Sequence, residues 1–182
     1  MNSSDLIALA LECGAVKATM LNPAQLVTSP IFRDICKSNG CGQYGRCWVC
    51  PPEIGEIDSL IKSFDAYTSI LWYQSITPIE DSFDIEGMLE AGHVHAQLSQ
   101  RRDAALKRRN LTNFLHLSCG GCHLCERCTK LDHLPCRHPD QALSSLEGYG
   151  IDVYSTTKDT PLSYINGENT VTYFGAVFFS EE

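Results

Sequence analysis

The sequence predicts a compact α/β (α+β) fold in which helices flank a mixed sheet and two cysteine-rich loops bind metal. Segments with helical periodicity alternate with short apolar runs, as expected for a mixed α/β protein. Cysteine, glycine and proline concentrate in residues 36–55 and 118–139, which predicts two loops. A length of 182 residues and an apolar fraction of 43% suit a single metal-binding domain over residues 1–182.

Capping residues and apolar spacing define the elements of the first half of the chain. Residues 3–13 are predicted to form a helix, because Ser3 or Ser4 can cap it and apolar residues then recur at helical spacing. Residues 15–21 predict a short strand, whereas residues 22–35 show no clear pattern. The next predicted elements are a helix over 56–67, a strand over 68–74 and a long helix over 85–109.

The second half of the chain predicts further strands and one helix. Residues 111–117 are ambiguous between strand and helix. Pro139 suits the first turn of a helix that would run to Gly148 or Gly150. Residues 151–155 predict a short strand, and residues 171–179 predict a strand buried on both faces because nearly every residue is apolar.

The overall charge and the termini exclude several classes of function. A net charge of −8 and a pI near 5.2 argue against a nucleic-acid partner, which requires a basic surface. The amino terminus lacks the basic region of a signal peptide, and no apolar run reaches the length of a membrane span. We therefore expect a soluble, cytoplasmic protein without a membrane partner.

The carboxyl-proximal loop contains the most informative motif, C-x2-C-x2-C-x2-C-x7-C. Its members are Cys119, Cys122, Cys125, Cys128 and Cys136. In a reducing cytosol, cysteines clustered in this way favour metal binding over structural disulfides. A polynuclear iron–sulfur cluster needs one thiolate for each iron, and closely spaced cysteines supply them from one loop. The preferred ligands of a [4Fe–4S] cluster are Cys122, Cys125, Cys128 and Cys136, with Cys119 spare.

Structural zinc is the alternative for this loop. Zinc takes four tetrahedral ligands, usually from two C-x2-C pairs that are well separated in sequence. Only two residues separate the pairs here, which makes wrapping one ion sterically difficult. The nearby His123, His133 and His138 are interpreted as surface residues or as hydrogen-bond partners of ligands.

The amino-proximal loop offers a second candidate metal site. Its cysteines are Cys36, Cys41, Cys47 and Cys50, and Pro51-Pro52 follows directly. Four thiols can complete a second site, although a glycine-rich turn with reduced thiols explains the same residues. Tyr44 and Trp48 either shield a cluster from water or act as ordinary core residues.

Two weaker patterns favour structural explanations. His93 and His95 would point in different directions on the predicted helix, so they cannot chelate one ion together. The basic residues of the same region are interpreted as a solvated face; they are Arg101, Arg102, Lys107, Arg108 and Arg109. Nucleotide-binding and serine-hydrolase motifs are absent from the sequence.

Four segments together resemble a known family. They are Cys36-x4-Cys41-Gly-x-Tyr44-Gly45-x2-Trp48-x-Cys50-Pro51-Pro52, Gly121-Cys122-x2-Cys125-x2-Cys128-x6-Pro135-Cys136-Arg137-x-Pro139, Ser145-x-Glu147-x-Tyr149-Gly150-Ile151-Asp152-Val153 and Val171-x-Tyr173-Phe174-Gly175. This combination resembles the "predicted metal-binding protein" family of anaerobic bacteria and archaea, which carries a domain-of-unknown-function label. The resemblance covers nearly the whole chain.

The resemblance implies cysteine-ligated metal in an anaerobic context. It favours seven of the loop cysteines as ligands: Cys36, Cys41, Cys50, Cys122, Cys125, Cys128 and Cys136. Cys47 and Cys119 are additions of this sequence. The first loop is therefore completed by Cys47, by a ligand other than cysteine, or by cooperation between the loops.

The sequence thus predicts an iron–sulfur protein that transfers electrons to or from a partner enzyme. One [4Fe–4S] cluster is expected in the carboxyl-proximal loop, and a second is possible in the other. One alternative is a redox enzyme that acts on a small molecule, with Glu147, Tyr149 and Asp152 as candidate residues. The other is a zinc module for protein interaction. The residues leave open whether the protein is an enzyme.

Overall fold

A five-stranded mixed sheet forms the centre of the protein in the computed structural model, which describes residues 2–180. The strands are β1 (Lys17–Leu21), β2 (Ser69–Pro78), β3 (Leu115–Ser118), β4 (Ser144–Ser145) and β5 (Thr170–Phe179). Their spatial order is β1–β2–β5–β3–β4, with antiparallel pairs except for β3 and β4. The predicted mixed α/β fold is confirmed.

Five α-helices and four short 3₁₀ turns flank the sheet in the described residues. The helices are α1 (Ser3–Glu12), α2 (Ile31–Lys37), α3 (Ile57–Lys62), α4 (Ile85–Arg108) and α5 (Val153–Thr157). The 3₁₀ turns are Pro23–Gln25, Ser63–Ala66, Thr129–Asp132 and Glu147–Tyr149. No helix within residues 2–180 is both long and apolar enough to cross a bilayer.

Strand alternation divides the core between the two faces of the sheet. On β2, Ile70 and Trp72 belong to one cluster of buried side chains, whereas Leu71 and Tyr73 belong to the other. Successive side chains of a strand point to opposite faces, so both faces of this strand must be covered. Residues of α1 and α4 cover the Tyr73 face, and residues near α3 and α5 cover the Trp72 face.

Several predicted elements are confirmed with small shifts of their ends. The helix predicted over 3–13 begins after Asn2, which replaces the expected serine as the cap. The Asp5 N–H donates to Asn2 Oδ1 over 2.9 Å, and the Asn2 N–H donates to the Asp5 carboxylate over 3.2 Å. The long helix is α4, and the strand predicted over 171–179 is β5, whose last six residues are buried.

The helix predicted over 139–150 and the strand predicted over 151–155 are both wrong. Ser144 and Ser145 extend the sheet instead, and the Leu146 N–H donates to the Ser118 carbonyl over 2.9 Å. Asp152 then caps α5, accepting from the Ser155 N–H over 2.8 Å. Tertiary pairing with β3 and this cap override the local preferences.

Polar side chains cover much of the face that α4 turns toward the sheet. His95, Ser99, Arg102 and Asp103 are all buried, and their i, i+4, i+7, i+8 spacing places them on one side of the helix. Arg102 has no exposed surface, so its interpretation as part of a solvated face is wrong. Its guanidinium lies 3.6 Å from the centroid of the Tyr73 ring and donates to the Ala10 carbonyl over 3.0 Å.

His95 should make the folded protein sensitive to acid. Burial, and secondly Arg102, lower the pKa of His95 from 6.5 to about 3. The folded state therefore favours the neutral ring, and this stability is lost as pH falls from 6.5 toward 3. The loss should be on the order of 5 kcal/mol. Denaturant unfolding of His95→Asn across this range should show a shallower pH dependence than wild type.

His133→Asn is the matched control for this prediction. His133 is exposed and has a positive φ of 56°, a conformation that asparagine tolerates. The free energy of unfolding of His133→Asn should depend on pH in the same way as that of the wild-type protein. An unchanged pH dependence in His95→Asn would assign the acid sensitivity to other groups.

Candidate metal centre

Short backbone turns fold the amino-proximal loop back on itself. Cys36 lies in the last turn of α2, and the loop then closes through a hydrogen bond from the Gly45 N–H to the Pro51 carbonyl over 2.8 Å. Gly45 has a positive φ of 68°, which glycine adopts without strain. The Cys50 N–H donates to the Cys47 carbonyl over 3.2 Å. Cys47 and Cys50 are therefore buried together, while Cys41 stays exposed.

Cys36, Cys41 and Cys50 are close enough to influence one another. Burial raises the pKa of Cys36, and Cys41 raises it further. The hydrogen bond with Cys47 and burial raise the pKa of Cys50, with contributions from Cys41 and Cys36. These three cysteines therefore form one group, which we call the first thiol group.

A buried arginine lies beside the first thiol group. Arg33 donates from Nη1 to the Gly55 carbonyl over 2.8 Å, which ties α2 to the end of the loop. Its Nε and Nη2 atoms have no hydrogen-bond partner among residues 2–180. Its positive charge acts to lower the pKa of Cys36. A buried cation with free N–H groups fits a site whose thiolates carry negative charge when they bind metal.

The carboxyl-proximal loop follows β3 and returns through a 3₁₀ turn. The Thr129 hydroxyl donates to the Pro135 carbonyl over 2.9 Å, and the Leu134 N–H donates to the Thr129 carbonyl over 3.1 Å. These bonds close the segment between Cys128 and Cys136. They explain how Cys136 can act with the C-x2-C-x2-C run despite the longer spacing.

Three side-chain contacts dock the two loops against each other. Trp48 donates from Nε1 to the Leu134 carbonyl over 3.0 Å. Lys130 forms an ion pair with Glu53 at 2.6 Å, and its ammonium lies 4.6 Å from the centroid of the Trp48 ring. Both partners of the ion pair are largely shielded from solvent, which strengthens the pair relative to a surface one. Trp48 is therefore a structural link between the loops.

The docked loops enclose one pocket lined by five cysteines, which we call the shared thiol pocket. Its cysteines are Cys47, Cys122, Cys125, Cys128 and Cys136. Trp48, Val49 and Leu124 supply apolar walls. The structure thus brings all four preferred cluster ligands to one pocket and adds Cys47 from the other loop.

Cys47 connects the two groups of cysteines. Hydrogen bonds from the thiols of Cys122 and Cys50 lower the pKa of Cys47. The hydrogen bond between Cys47 and Cys122, together with burial, raises the pKa of Cys122. A thiol that touches one member of each group is placed to serve either group. Cys47 of the amino-proximal loop therefore lies beside Cys122 of the carboxyl-proximal loop.

Cys119 lies outside the shared thiol pocket. Its sulfur is 3.9 Å from the Gly92 carbonyl of α4, and burial raises its pKa to about 12. All ten cysteines are free thiols. Within residues 2–180, no three cysteine, histidine or acidic side chains are already arranged around a single metal ion. The donor chemistry of the pocket, five thiols between apolar walls, fits a thiophilic metal or an iron–sulfur cluster.

The candidate catalytic residues of the enzyme alternative have separate structural roles. Asp152 is a helix cap, and its carboxylate also accepts from the Ser155 hydroxyl over 2.8 Å. The Tyr149 ring packs 6.2 Å from that of Phe64 in the core. Burial raises the pKa of Glu147, and its charge acts on Cys36 and Cys119.

Sequence reasoning missed a cleft beside the shared thiol pocket. The cleft measures about 320 Å³ and is lined by Cys125 together with polar residues of α4 and of the loop. His93 and His123 face each other there, with ring centroids 4.2 Å apart. The sequence signal for this cleft was the i, i+4 spacing of His93 and Gln97, which places both residues on one side of α4. The contact between His93 and His123 could not be foreseen, because it depends on the tertiary fold.

A comparison with known protein families covers most of the chain. The sequence profile of the family described as "Predicted metal-binding protein (DUF2284)" matches residues 19–179. This chain belongs to that family. The matched segment runs from β1 to the end of β5, so it includes the sheet and both cysteine loops. No curated protein and no solved structure matches the chain significantly. The resemblance seen in the sequence is thereby confirmed.

Trp48 should control how firmly the loops retain metal. Trp48→Ala removes both the bond to Leu134 and an apolar wall of the pocket. We expect about 2 kcal/mol less stabilisation of the docked loops and roughly 30-fold faster metal release to a chelator. Trp48→Phe should have a smaller effect, because it keeps the wall and loses only the hydrogen bond.

Tyr154→Ala is the control for general loss of an aromatic side chain. Tyr154 is half-exposed on α5, outside both loops. The rate of metal release from Tyr154→Ala should equal that of the wild-type protein. Equal release rates for Trp48→Ala and wild type would show that loop docking does not retain the metal.

Proposed function

We propose that the protein holds a [4Fe–4S] cluster in the shared thiol pocket and transfers single electrons to or from a partner enzyme. The observation that carries this proposal is the convergence of five cysteines from two loops on one pocket with apolar walls. Such a cluster supplies one-electron redox chemistry when bound. Cys122, Cys125, Cys128 and Cys136 would be its ligands, one for each iron.

The surrounding residues support this role. Trp48, Val49 and Leu124 exclude water from the pocket, and solvent exposure is one of the factors that set a cluster's potential. The His138 N–H donates to the Cys136 sulfur over 3.4 Å. Hydrogen bonds to ligand sulfurs stabilise the more negative, reduced state. A reducing cytoplasm would keep the thiols available before the metal binds.

The first thiol group offers a second site with four cysteine ligands if Cys47 completes it. Cys36, Cys41 and Cys50 provide three thiols, and Cys47 is hydrogen bonded to Cys50. Cys47 also touches Cys122, which already has three cysteine neighbours in the shared pocket. The role of Cys47 therefore decides between one cluster and two in this proposal.

Metal and sulfide analysis tests the proposed cofactor directly. Protein purified without oxygen should contain about four iron atoms and about four acid-labile sulfides per chain. A second cluster would raise both values to about eight. Stoichiometric zinc without sulfide would contradict the proposal and support the zinc alternative.

Single cysteine substitutions test the ligand assignment. Cys136→Ala removes a proposed ligand and should lose most of the iron and sulfide, whereas Cys119→Ala should retain both because its sulfur faces Gly92. Iron content and visible absorbance measure the outcome. The assignment is wrong if Cys119→Ala loses the cluster and Cys136→Ala keeps it. Cys47→Ala would lower the iron content by about half if Cys47 holds a second cluster.

A further inference from the structure

The amino-terminal end of α4 exposes three large apolar side chains to solvent. Phe83, which lies just before the helix, is 86% exposed, and Ile85 and Leu89 are 67% and 60% exposed. Ile85 and Leu89 are four residues apart, so they are neighbours on the helix surface. The Ile85 N–H donates to the Phe83 carbonyl over 2.8 Å, which keeps Phe83 at the start of the helix. We call these three residues the α4 apolar patch.

Acidic residues surround the α4 apolar patch. Residues 79–100 contain five acidic residues and no lysine or arginine. Three of the five are exposed and form no ion pair within residues 2–180; they are Glu80, Asp81 and Glu86. The other two are Asp84, which caps α4, and Glu90, which lies 3.8 Å from His93 Nδ1. We call these five residues the acidic rim.

One face of α4 leads from the patch and the rim into the cleft beside the shared thiol pocket. Glu86, Leu89, Glu90 and His93 follow i, i+3, i+4, i+7 spacing, which places them on the same side of the helix. With a rise of 1.5 Å per residue, Leu89 precedes His93 by about 6 Å and Glu86 precedes it by about 10 Å. His93 lines the cleft, and Cys125 lines both the cleft and the shared thiol pocket. The exposed face of α4 therefore ends beside a proposed cluster ligand.

The cleft is the polar side of the proposed cluster site. Trp48, Val49 and Leu124 give the shared thiol pocket apolar walls, whereas Gln97 and other polar residues line the cleft at Cys125. Electrons pass between proteins only over short distances, so a redox partner must lie over a side at which a ligand approaches the surface. The cleft at Cys125 offers such a side.

The opposite end of α4 has less unpaired charge to offer a partner. Lys107 pairs with Asp103 at 2.6 Å, and Arg109 pairs with Glu12 at 3.4 Å. Arg102 is buried against the sheet. These basic groups are met by other groups of the chain, whereas most of the acidic rim is not. The charge of the helix therefore favours its amino-terminal end as the end that attracts a partner.

We propose that the α4 apolar patch and its acidic rim dock a redox protein with a basic surface, whose redox group then lies over the cleft at Cys125. The inference rests on the proposed function and specifies the partner of that same site. In the docked complex one electron passes from the cluster to the redox group of the partner, or in the reverse direction. One centre is oxidised and the other is reduced.

The rim and the patch have different roles in this complex. The rim attracts a basic surface before contact and so raises the rate of association. A cluster ligated by four thiolates adds further negative charge beside the rim. The patch stabilises the complex after contact, because apolar surface is removed from water.

Charge argues against a second copy of this chain as the occupant. A two-fold dimer through the patch places the same surface of each copy against the other. The two acidic rims would then face each other without basic residues between them, because residues 79–100 contain none. Like charges brought together across an interface oppose association.

Electron transfer to a basic c-type cytochrome tests the docking site. Reduced, cluster-loaded protein is mixed with the oxidised cytochrome, and the second-order rate constant is measured by stopped-flow absorbance at several salt concentrations. The wild-type rate should fall as salt rises, because salt screens the attraction. Glu86→Lys/Glu90→Lys should lower the rate at low salt about tenfold and weaken its salt dependence. Leu89→Ser keeps the charge and should lower the rate roughly threefold at every salt concentration.

Asp65→Lys/Asp159→Lys is the matched control for charge. Asp65 follows Phe64 of the Trp72 face, and Asp159 lies just after α5, which covers that face; both are exposed. The control variant changes the net charge by the same amount as the α4 variant, on the other side of the sheet from α4. Its rate should stay within about twofold of the wild-type rate, because the docking surface is intact.

The outcomes separate the docking site from the proposed function. A wild-type rate in Glu86→Lys/Glu90→Lys overturns the docking site, and so does an equal loss in the two charge variants, which would reflect net charge alone. Loaded protein that reduces ferricyanide but not the cytochrome overturns the docking site alone. A wild-type dimer that Leu89→Ser dissociates also overturns it and assigns the patch to a second copy. Protein without iron and sulfide, or loaded protein that reduces neither oxidant, overturns the proposed function as well.

Discussion

The contact between Trp48 and the Leu134 carbonyl joins segments that are 86 residues apart in sequence, and the candidate site depends on it. The shared thiol pocket takes its apolar walls from both loops, with Trp48 and Val49 from the amino-proximal loop and Leu124 from the carboxyl-proximal loop. Once docked, the loops share the Lys130–Glu53 ion pair and a set of apolar walls. The sheet makes this docking possible, because β3 leads directly into the carboxyl-proximal loop. β3 is itself held in place by pairing with β5, the middle strand of the sheet.

Beneath the carboxyl-proximal loop, the protein buries several polar side chains, which costs free energy of folding. Burying a cation such as Arg102 without a carboxylate partner costs free energy that an apolar side chain would not. The cation–π contact with Tyr73 and the bond to the Ala10 carbonyl offset only part of this cost.

The sequence predicted the features that depend on local pattern. An apolar run was enough to locate β5, a long stretch with few helix breakers was enough to locate α4, and cysteine spacing was enough to locate both loops. The helix expected after Pro139 failed because Ser144 and Ser145 pair with β3, a contact that no local pattern contains. Arg102 was misinterpreted for a similar reason. A basic residue on a polar helix face is usually solvated, and only the packing of α4 on the sheet reveals that this face is internal.

The candidate site shows the same division between local and tertiary information. Spacing alone grouped Cys122, Cys125, Cys128 and Cys136, which all reach one pocket. The position of Cys47 beside Cys122 required the loops to be docked, and so did the contact between His93 and His123. His116 lies in the segment that was ambiguous in sequence, and its buried contacts with Tyr73 and Asp103 depend on two other elements.

The central claim is that cysteines from two docked loops bind a polynuclear iron–sulfur cluster. X-ray absorption at the iron edge, on protein isolated without oxygen, tests it most directly. Sulfur should surround each iron, and scattering between neighbouring irons should be present, because irons in a cluster share bridging sulfides. Iron without iron–iron scattering, or a single zinc surrounded by sulfur in place of iron, would contradict the account.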